Sequence, residues 1–200
     1  MDKNFLITLT GKSGSGKSTI ERMLVNNYGL KRAVSHTSRE PRMAENNGID
    51  YYFVGEEIMF RMYEEGKLAE FIGYNGNLYG VSIKELMDSQ VIVIEPTGLK
   101  QVKEKMKDKK KIISIFLDIS EEAMYDRMKY RGDLEANILE RIEHDRHHFN
   151  VDVDEFDYVI KVDNLTPSQI YDLIIHILNT EGSKQLSMFD NEEGVENKNE

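Results

Sequence analysis

Nine residues near the start of the chain, Gly11-Lys12-Ser13-Gly14-Ser15-Gly16-Lys17-Ser18-Thr19, constrain what it can fold into more than any other stretch. They fit the Walker A pattern, in which glycines fold the backbone into a nest whose N–H groups point at phosphate oxygens. The apolar run Phe5-Leu6-Ile7-Thr8-Leu9 before them reads as a buried strand, and Ile20, Met23 and Leu24 after them recur at helical spacing. Strand before and helix after is the context this motif requires, because the positive end of the helix then faces the same anion. Gly11, Ser13, Gly14, Ser15, Gly16, Lys17, Ser18 and Thr19 are therefore the expected cradle of a nucleoside triphosphate. Within it Lys17 reaches the β- and γ-phosphates and the Ser18 hydroxyl ligates Mg²⁺. A Gly/Ser-rich turn between strand and helix is the bland alternative. The cradle says what is held, not what receives the phosphate.

Length and charge narrow the class. Two hundred residues with 40% hydrophobic content fit one domain with a sizeable core. The chain has no cysteine, which excludes disulfides, thiolate metal sites and a thiol nucleophile. No apolar run approaches the length of a signal sequence or membrane span, so a soluble, cytoplasmic protein is expected. The formal net charge of −10, from 36 acidic and 26 basic residues, argues against direct nucleic-acid binding. Against that background Arg39, Arg42, Arg127, Arg131 and Arg141 invite local explanations.

In chain order, the opening strand, loop and helix end at Gly29, a C-cap signal. From Leu30 to about Gly80 the pattern turns to short mixed segments with aromatics and glycines. Asp50–Val54 and Glu70–Tyr74 read as strands, Glu56–Glu65 as a short helix, and Asn75-Gly76 as a hairpin turn. The α/β rhythm then resumes. Ser82–Ser89 reads as helix, Val91–Ile94 as buried strand, Leu99–Lys109 as helix, and Ile112–Leu117 as a β-branched strand covered on both faces. Asp118–Lys129 is helical, about 130–150 is charged and largely helical, and Phe156–Ile160 is a last strand. Thr166-Pro167 then starts a terminal helix to about Leu178. The prediction is an α/β P-loop three-layer sandwich with a five-stranded parallel core sheet and a small mixed insertion. From 181 to 200 the chain is acidic and polar, and is expected to be a disordered tail.

Ser35-His36-Thr37-Ser38-Arg39-Glu40-Pro41-Arg42 puts two arginines three residues apart around a proline. Planar guanidinium forks suit a phosphate monoester. A solvated loop in which the arginines pair with Glu40 and Glu45 is an equal alternative on these residues alone.

The segment Ser35–Arg42, with Glu45, Asn47-Gly48, Asp50-Tyr51, Phe53-Val54, Glu70 and Gly76-Asn77-Leu78-Tyr79-Gly80, resembles the guanylate kinase family, and the similarity runs from about Asn4 to Leu178. The resemblance implies an ATP-dependent nucleoside monophosphate kinase on residues 1–180, with 35–81 as a monophosphate-binding insertion and 130–150 as a helical lid. It implies that Arg39, Arg42, Tyr51 and Tyr79 hold the acceptor phosphate, and that Ser35 and Glu70 face a guanine. Guanine shows N1–H and an amino group side by side, so one carboxylate accepts from both, whereas adenine leaves that carboxylate facing a bare N1. The implied reaction moves the γ-phosphate of ATP, with Mg²⁺, to GMP or dGMP. By the same resemblance Arg131 and Arg141 close over the triphosphate and join Lys17 in catalysis, neutralising charge on the transferred group. Arg127 reads either as a third such arginine or as a helix pair with a neighbouring acid. His144, His147 and His148 fit a charged helix face better than a metal site.

The chain departs from the family pattern at Val81, where a hydroxyl residue grips the base, and at His36, in place of a small hydroxyl residue. The family's Leu-Asp-Ile-Asp strand stands here as Ile92-Val93-Ile94-Glu95, leaving Glu95 as the one acid toward the acceptor. A same-fold kinase for another nucleoside monophosphate or a sugar phosphate is thus the nearest alternative. A noncatalytic guanylate kinase-like binding module is the alternative of another class, although its eroded P-loop is not seen. In the tail, Gln185-Leu186-Ser187-Met188-Phe189 resembles the peptide by which bacterial replication proteins dock on the sliding clamp.

Overall fold

A computed structural model of the chain describes residues 4–74, 76–149 and 151–192, without the side chains of 148 and 182–192. β1 (Phe5–Gly11) runs into the glycine-rich loop and α1 (Lys17–Tyr28) leaves it. The chain then forms β2 (His36–Thr37), β3 (Tyr52–Phe53), α2 (Glu56–Glu64), β4 (Leu68–Tyr74), β5 (Asn77–Ser82) and α3 (Ile83–Asp88). It continues as β6 (Val91–Val93), α4 (Pro96–Met106), β7 (Lys111–Asp118), α5 (Glu121–Tyr130), α6 (Glu135–His148), β8 (Tyr158–Lys161) and α7 (Pro167–Glu192).

The core sheet has the order β6-β1-β7-β8, and every pairing is parallel. Five strands are predicted from the sequence, but four form among the described residues. A single bridge from Arg32 to Val91 takes the fifth place beside β6. The Ala33 N–H bonds to the Val91 carbonyl at 2.8 Å, and the chain then turns into the insertion, so no ladder extends further. Side chains alternate across the strands and cover both faces. Ile7, Leu9, Ile113, Ile115 and Leu117 pack with α1, α5 and α7 residues such as Leu24, Met124 and Ile174. Leu6, Ile92 and Phe116 pack with Leu99, Val102 and Met106 of α4. Each fully buried Leu or Ile contributes ~1.5–3 kcal/mol over exposure, and the two layers fix β1 in the centre with its loop at the sheet's C-terminal edge.

The insertion is a second sheet, β3-β2-β5-β4, with β2 parallel to β3 and antiparallel to β5. β4 and β5 form an antiparallel hairpin across Gly76 at φ 72°, while Asn75, the other half of the predicted turn, lies outside the described residues. α4 begins at Pro96, earlier than the predicted Leu99, because a proline at the first helical position is preorganised for the turn.

α7 extends beyond Leu178. Glu181, the first residue of the predicted tail, accepts from the Tyr158 hydroxyl at 2.6 Å and pairs with Lys111 at 2.7 Å. These contacts tie it to β7 and β8. The side chains of Gln185–Phe189 and all of 193–200 lie outside the described residues.

Candidate active site

The loop's glycines are there for geometry. Gly14 and Gly16 hold φ of 75° and 99°, where a Cβ is strained. At Gly11 a Cβ would lie 2.6 Å from the Leu117 carbonyl and 2.8 Å from Ser15 Oγ, so only glycine lets β1 turn there beside β7. Lys17 folds back onto the loop, donating to the Gly11 carbonyl and to that of Lys12 at 3.1 Å. Burial depresses the Lys17 ammonium, and the charges of Glu95 and Asp145 partly restore it.

A cleft of about 650 Å³ opens from this loop, lined by Gly14, Gly16, Lys17, Ser18, Thr19, Arg127, Tyr130, Arg131 and Pro167. Arg127 lines this cleft and bonds backbone carbonyls in place of the helix pair weighed from sequence. Its guanidinium donates to the carbonyls of Gly14 at 3.3 Å, Leu165 at 3.1 Å, Asp163 at 3.4 Å and Val162. It braces the loop against the β8–α7 connection. Arg131 and Arg141 share Asp133, through Nε at 3.0 Å and Nη1 at 3.4 Å respectively. Of the two, Arg131 lines the cleft that opens from the loop. The Arg131 guanidinium, before the more distant Arg141, holds the Asp133 carboxyl below its ordinary range.

A second cleft, of about 510 Å³, runs from Ser18 to the insertion and is lined by Glu21, Arg32, Ser35, Glu45, Tyr51 and Val93 among others. Ser18 thus lines both clefts. Beside the second cleft Arg39 lies over the rings of Tyr51 and Phe53, at 5.6 and 5.7 Å. Tyr51 and Tyr79 meet edge to face at 6.1 Å, and the Tyr79 hydroxyl, after Glu45, favours the charged form of Arg39. Burial raises the Tyr51 hydroxyl and keeps it a donor. Arg39 Nη2 holds both Glu45 oxygens, at 2.8 and 2.9 Å, and the Arg42 N–H reaches the same carboxylate at 2.8 Å. The Glu45 pair weighed from sequence therefore forms, and it joins the same cluster as the two tyrosines. Arg42's side chain is exposed at the rim.

Sheet register aligns the three positions expected at the base. His36 pairs with Gly80 and Glu70 with Val81, so Ser35 falls on the row of Val81 and Glu70. Val81 is fully buried between them. Glu70 itself is 6% exposed, and its carboxyl is packed against Gly98 at the start of α4, where a Cβ would collide with it. Burial, and then the charge of Glu95, push the Glu70 carboxyl up to about 7. Glu95 is exposed at the N-cap position of α4. The His36 ring packs on Tyr52 at 4.8 Å, and burial lowers its basicity.

Glu21, Arg32 and Asp145 have no place in the sequence reading, yet the first two line the second cleft and Asp145 touches the glycine-rich loop. Glu21 was legible as the residue one turn after Ser18. Arg32 binds it across 3.7 Å and also donates to the Ile49 carbonyl, tying α1 to the insertion. Asp145 gives no local signal.

The family model described as guanylate kinase matches residues 3–178. A guanylate kinase of Synechococcus sp. (strain JA-3-3Ab) is 38% identical over 169 residues, covering 80% of this chain and 76% of its own. That of Malacoplasma penetrans (strain HF-2) is 33% identical over 186 residues, covering 88% and 93%. The crystal structure of guanylate kinase from Anaplasma phagocytophilum superposes with a TM-score of 0.64 at 28% identity, covering 89% of this chain and 86% of that one.

Proposed function

The chain belongs to the guanylate kinase family, and we propose from that premise how its two clefts divide the transfer of the ATP γ-phosphate to GMP or dGMP. The protein is an ATP-dependent nucleoside monophosphate kinase. The observation that carries the division of labour is that Ser18 lines both clefts. ATP takes the loop from Gly11 to Thr19 and the cleft toward Arg131. The monophosphate takes the cleft toward Ser35 and Tyr51, its phosphate on Arg39, Arg42, Tyr51 and Tyr79.

Among the described residues no group of three or more His, Asp or Glu side chains is arranged to hold a metal. The exposed Ser18 hydroxyl fits Mg²⁺ that draws its other ligands from phosphates and water. Bound there, Mg²⁺ neutralises charge on the β- and γ-phosphates. Lys17 must leave the Gly11 and Lys12 carbonyls to reach the same oxygens, and Arg131, with Arg141 behind it, adds charge from the lid.

Guanine selectivity is supported by the row Ser35, Val81, Glu70. Val81 supplies no hydroxyl to it, and the Glu70 carboxyl must turn from Gly98 and lose its proton to grip the base. A coupled ADP-release assay across GMP, dGMP, AMP, CMP, UMP and dTMP tests this, with GMP and dGMP expected as the acceptors. Turnover on a non-guanine acceptor alone overturns it. Lys17→Ala should abolish turnover, and a biological role that persists in that variant points to a binding module instead.

We further propose that Gln185–Phe189 docks on a bacterial sliding clamp. This rests on the sequence pattern alone. Deleting 183–200 should abolish clamp binding, and unchanged affinity refutes it.

A further inference from the structure

The lid helix reaches into the phosphate loop through a side chain with no role so far. Asp145, on α6 and 5% exposed, accepts a hydrogen bond from the Ser13 N–H at 2.5 Å. Its other oxygen lies 3.3 Å from Nδ1 of His144, whose ring meets that of Tyr74, at the end of β4, edge-on at 5.4 Å. Both carboxylate oxygens are thus engaged. The same charge acts on the Lys17 ammonium.

Ser13 belongs to the loop whose N–H groups are directed at phosphate oxygens when a nucleotide binds. A carboxylate presents the same chemistry there as a phosphate edge, an anionic acceptor for N–H donors. Two anions a few ångströms apart in a half-buried cleft repel strongly. A carboxylate on Ser13 and a terminal phosphate beside Lys17 therefore compete for the loop.

We propose that Asp145 sets the affinity of the donor site by holding the Ser13 N–H in place of the donor's terminal phosphate, so that a triphosphate seats only when this carboxylate and α6 move aside. The proposal rests on the reading of Gly11–Thr19 as the donor-phosphate site. It makes the lid a competitor of the nucleotide before it becomes a cover over it.

Isothermal titration of the full chain tests this with a non-hydrolysable ATP analogue and with ADP, each with Mg²⁺, on the wild type, Asp145→Asn and Asp145→Ala. The analogue is expected to bind both variants about tenfold more tightly, with a smaller gain for ADP, which lacks the terminal phosphate. Asp145→Asn keeps the shape and can still accept from Ser13, so it carries the test if the alanine variant does not fold. Unchanged or weaker binding of the analogue, or an equal gain for ADP, overturns the proposal. A merely structural Asp145 would loosen both nucleotides and lower Tm. If folded wild type binds neither nucleotide, the donor-site reading itself fails, which is a different result from a lost difference between variants.

Discussion

Glu70 is buried against the start of α4, where the charge of Glu95 at the helix N-cap adds to burial in favouring its protonated form. Burial contributes most, the Glu95 charge next, and together they lift Glu70 from 4.5 to about 7.

Stability should therefore fall as pH rises from about 4.5 to about 7. In that window the folded protein keeps a proton at Glu70 that the unfolded chain has released, and the state that binds more protons loses ground as pH rises. Glu70's share is ~3 kcal/mol at most. Urea unfolding across the window reads it, and Glu70→Gln should flatten the slope; an unaltered slope assigns it to other groups. Acceptor binding should run the opposite way, because the base is gripped by the ionised carboxylate. KM for GMP is expected to drop as pH rises through about 7, and this dependence should vanish in Glu70→Gln.

Gly98→Ala should act on the acceptor alone. The new Cβ collides with the Glu70 carboxyl and displaces it from its berth on α4. Overpacking of this kind costs ~1–3 kcal/mol, and the misplaced carboxyl should raise KM for GMP while ADP binding stays the same. A lowered affinity for ADP would show that the change spreads beyond the insertion.

Arg39→Lys keeps the charge but gives up the two-armed guanidinium that bonds the Glu45 carboxylate and the Glu40 carbonyl at once, and the flat face over Tyr51 and Phe53. An ammonium cannot replace either. KM for GMP should rise about tenfold or more, with the KM for ATP unmoved. Steady-state kinetics with each substrate varied in turn distinguishes the two.

Arg127→Ala removes the brace that ties the Gly14 carbonyl to the carbonyls of Val162, Asp163 and Leu165. Tm should fall by ~5 °C or more, and ADP affinity should weaken with it, since the loop loses its fixed shape. A calorimetric scan with and without ADP checks both. A variant that keeps its Tm but loses turnover would instead make Arg127 a phosphate ligand.

The donor half was legible because backbone requirements leave marks in sequence. Gly14 and Gly16 occupy conformations that few other residues tolerate, and Lys17 and Ser18 follow at fixed offsets. The insertion was legible through Arg39, Tyr51, Glu70 and Tyr79 as a set, although none of them singly. Long-range partners were not. The brace from Arg127 to Gly14 and the contact from Asp145 to Ser13 join residues over a hundred positions apart, and no local pattern announces such a pair. The fifth core strand counted in the prediction had no run of its own in the sequence, and at Arg32 the chain makes a single bridge to Val91 before it leaves for the insertion. The tail boundary likewise missed Glu181, whose partners Tyr158 and Lys111 come from strands far back in the chain.

The position of Ser18 on both clefts has a chemical corollary. If the two clefts divide donor and acceptor as proposed, both nucleotides meet at that hydroxyl, and a single dinucleoside polyphosphate is expected to occupy both clefts at once. Joining the two nucleosides makes the second binding event intramolecular, and avidity rises without any new contact so long as the phosphate chain spans the gap. The number of bridging phosphates that binds most tightly is then a molecular ruler for the distance between the two nucleosides.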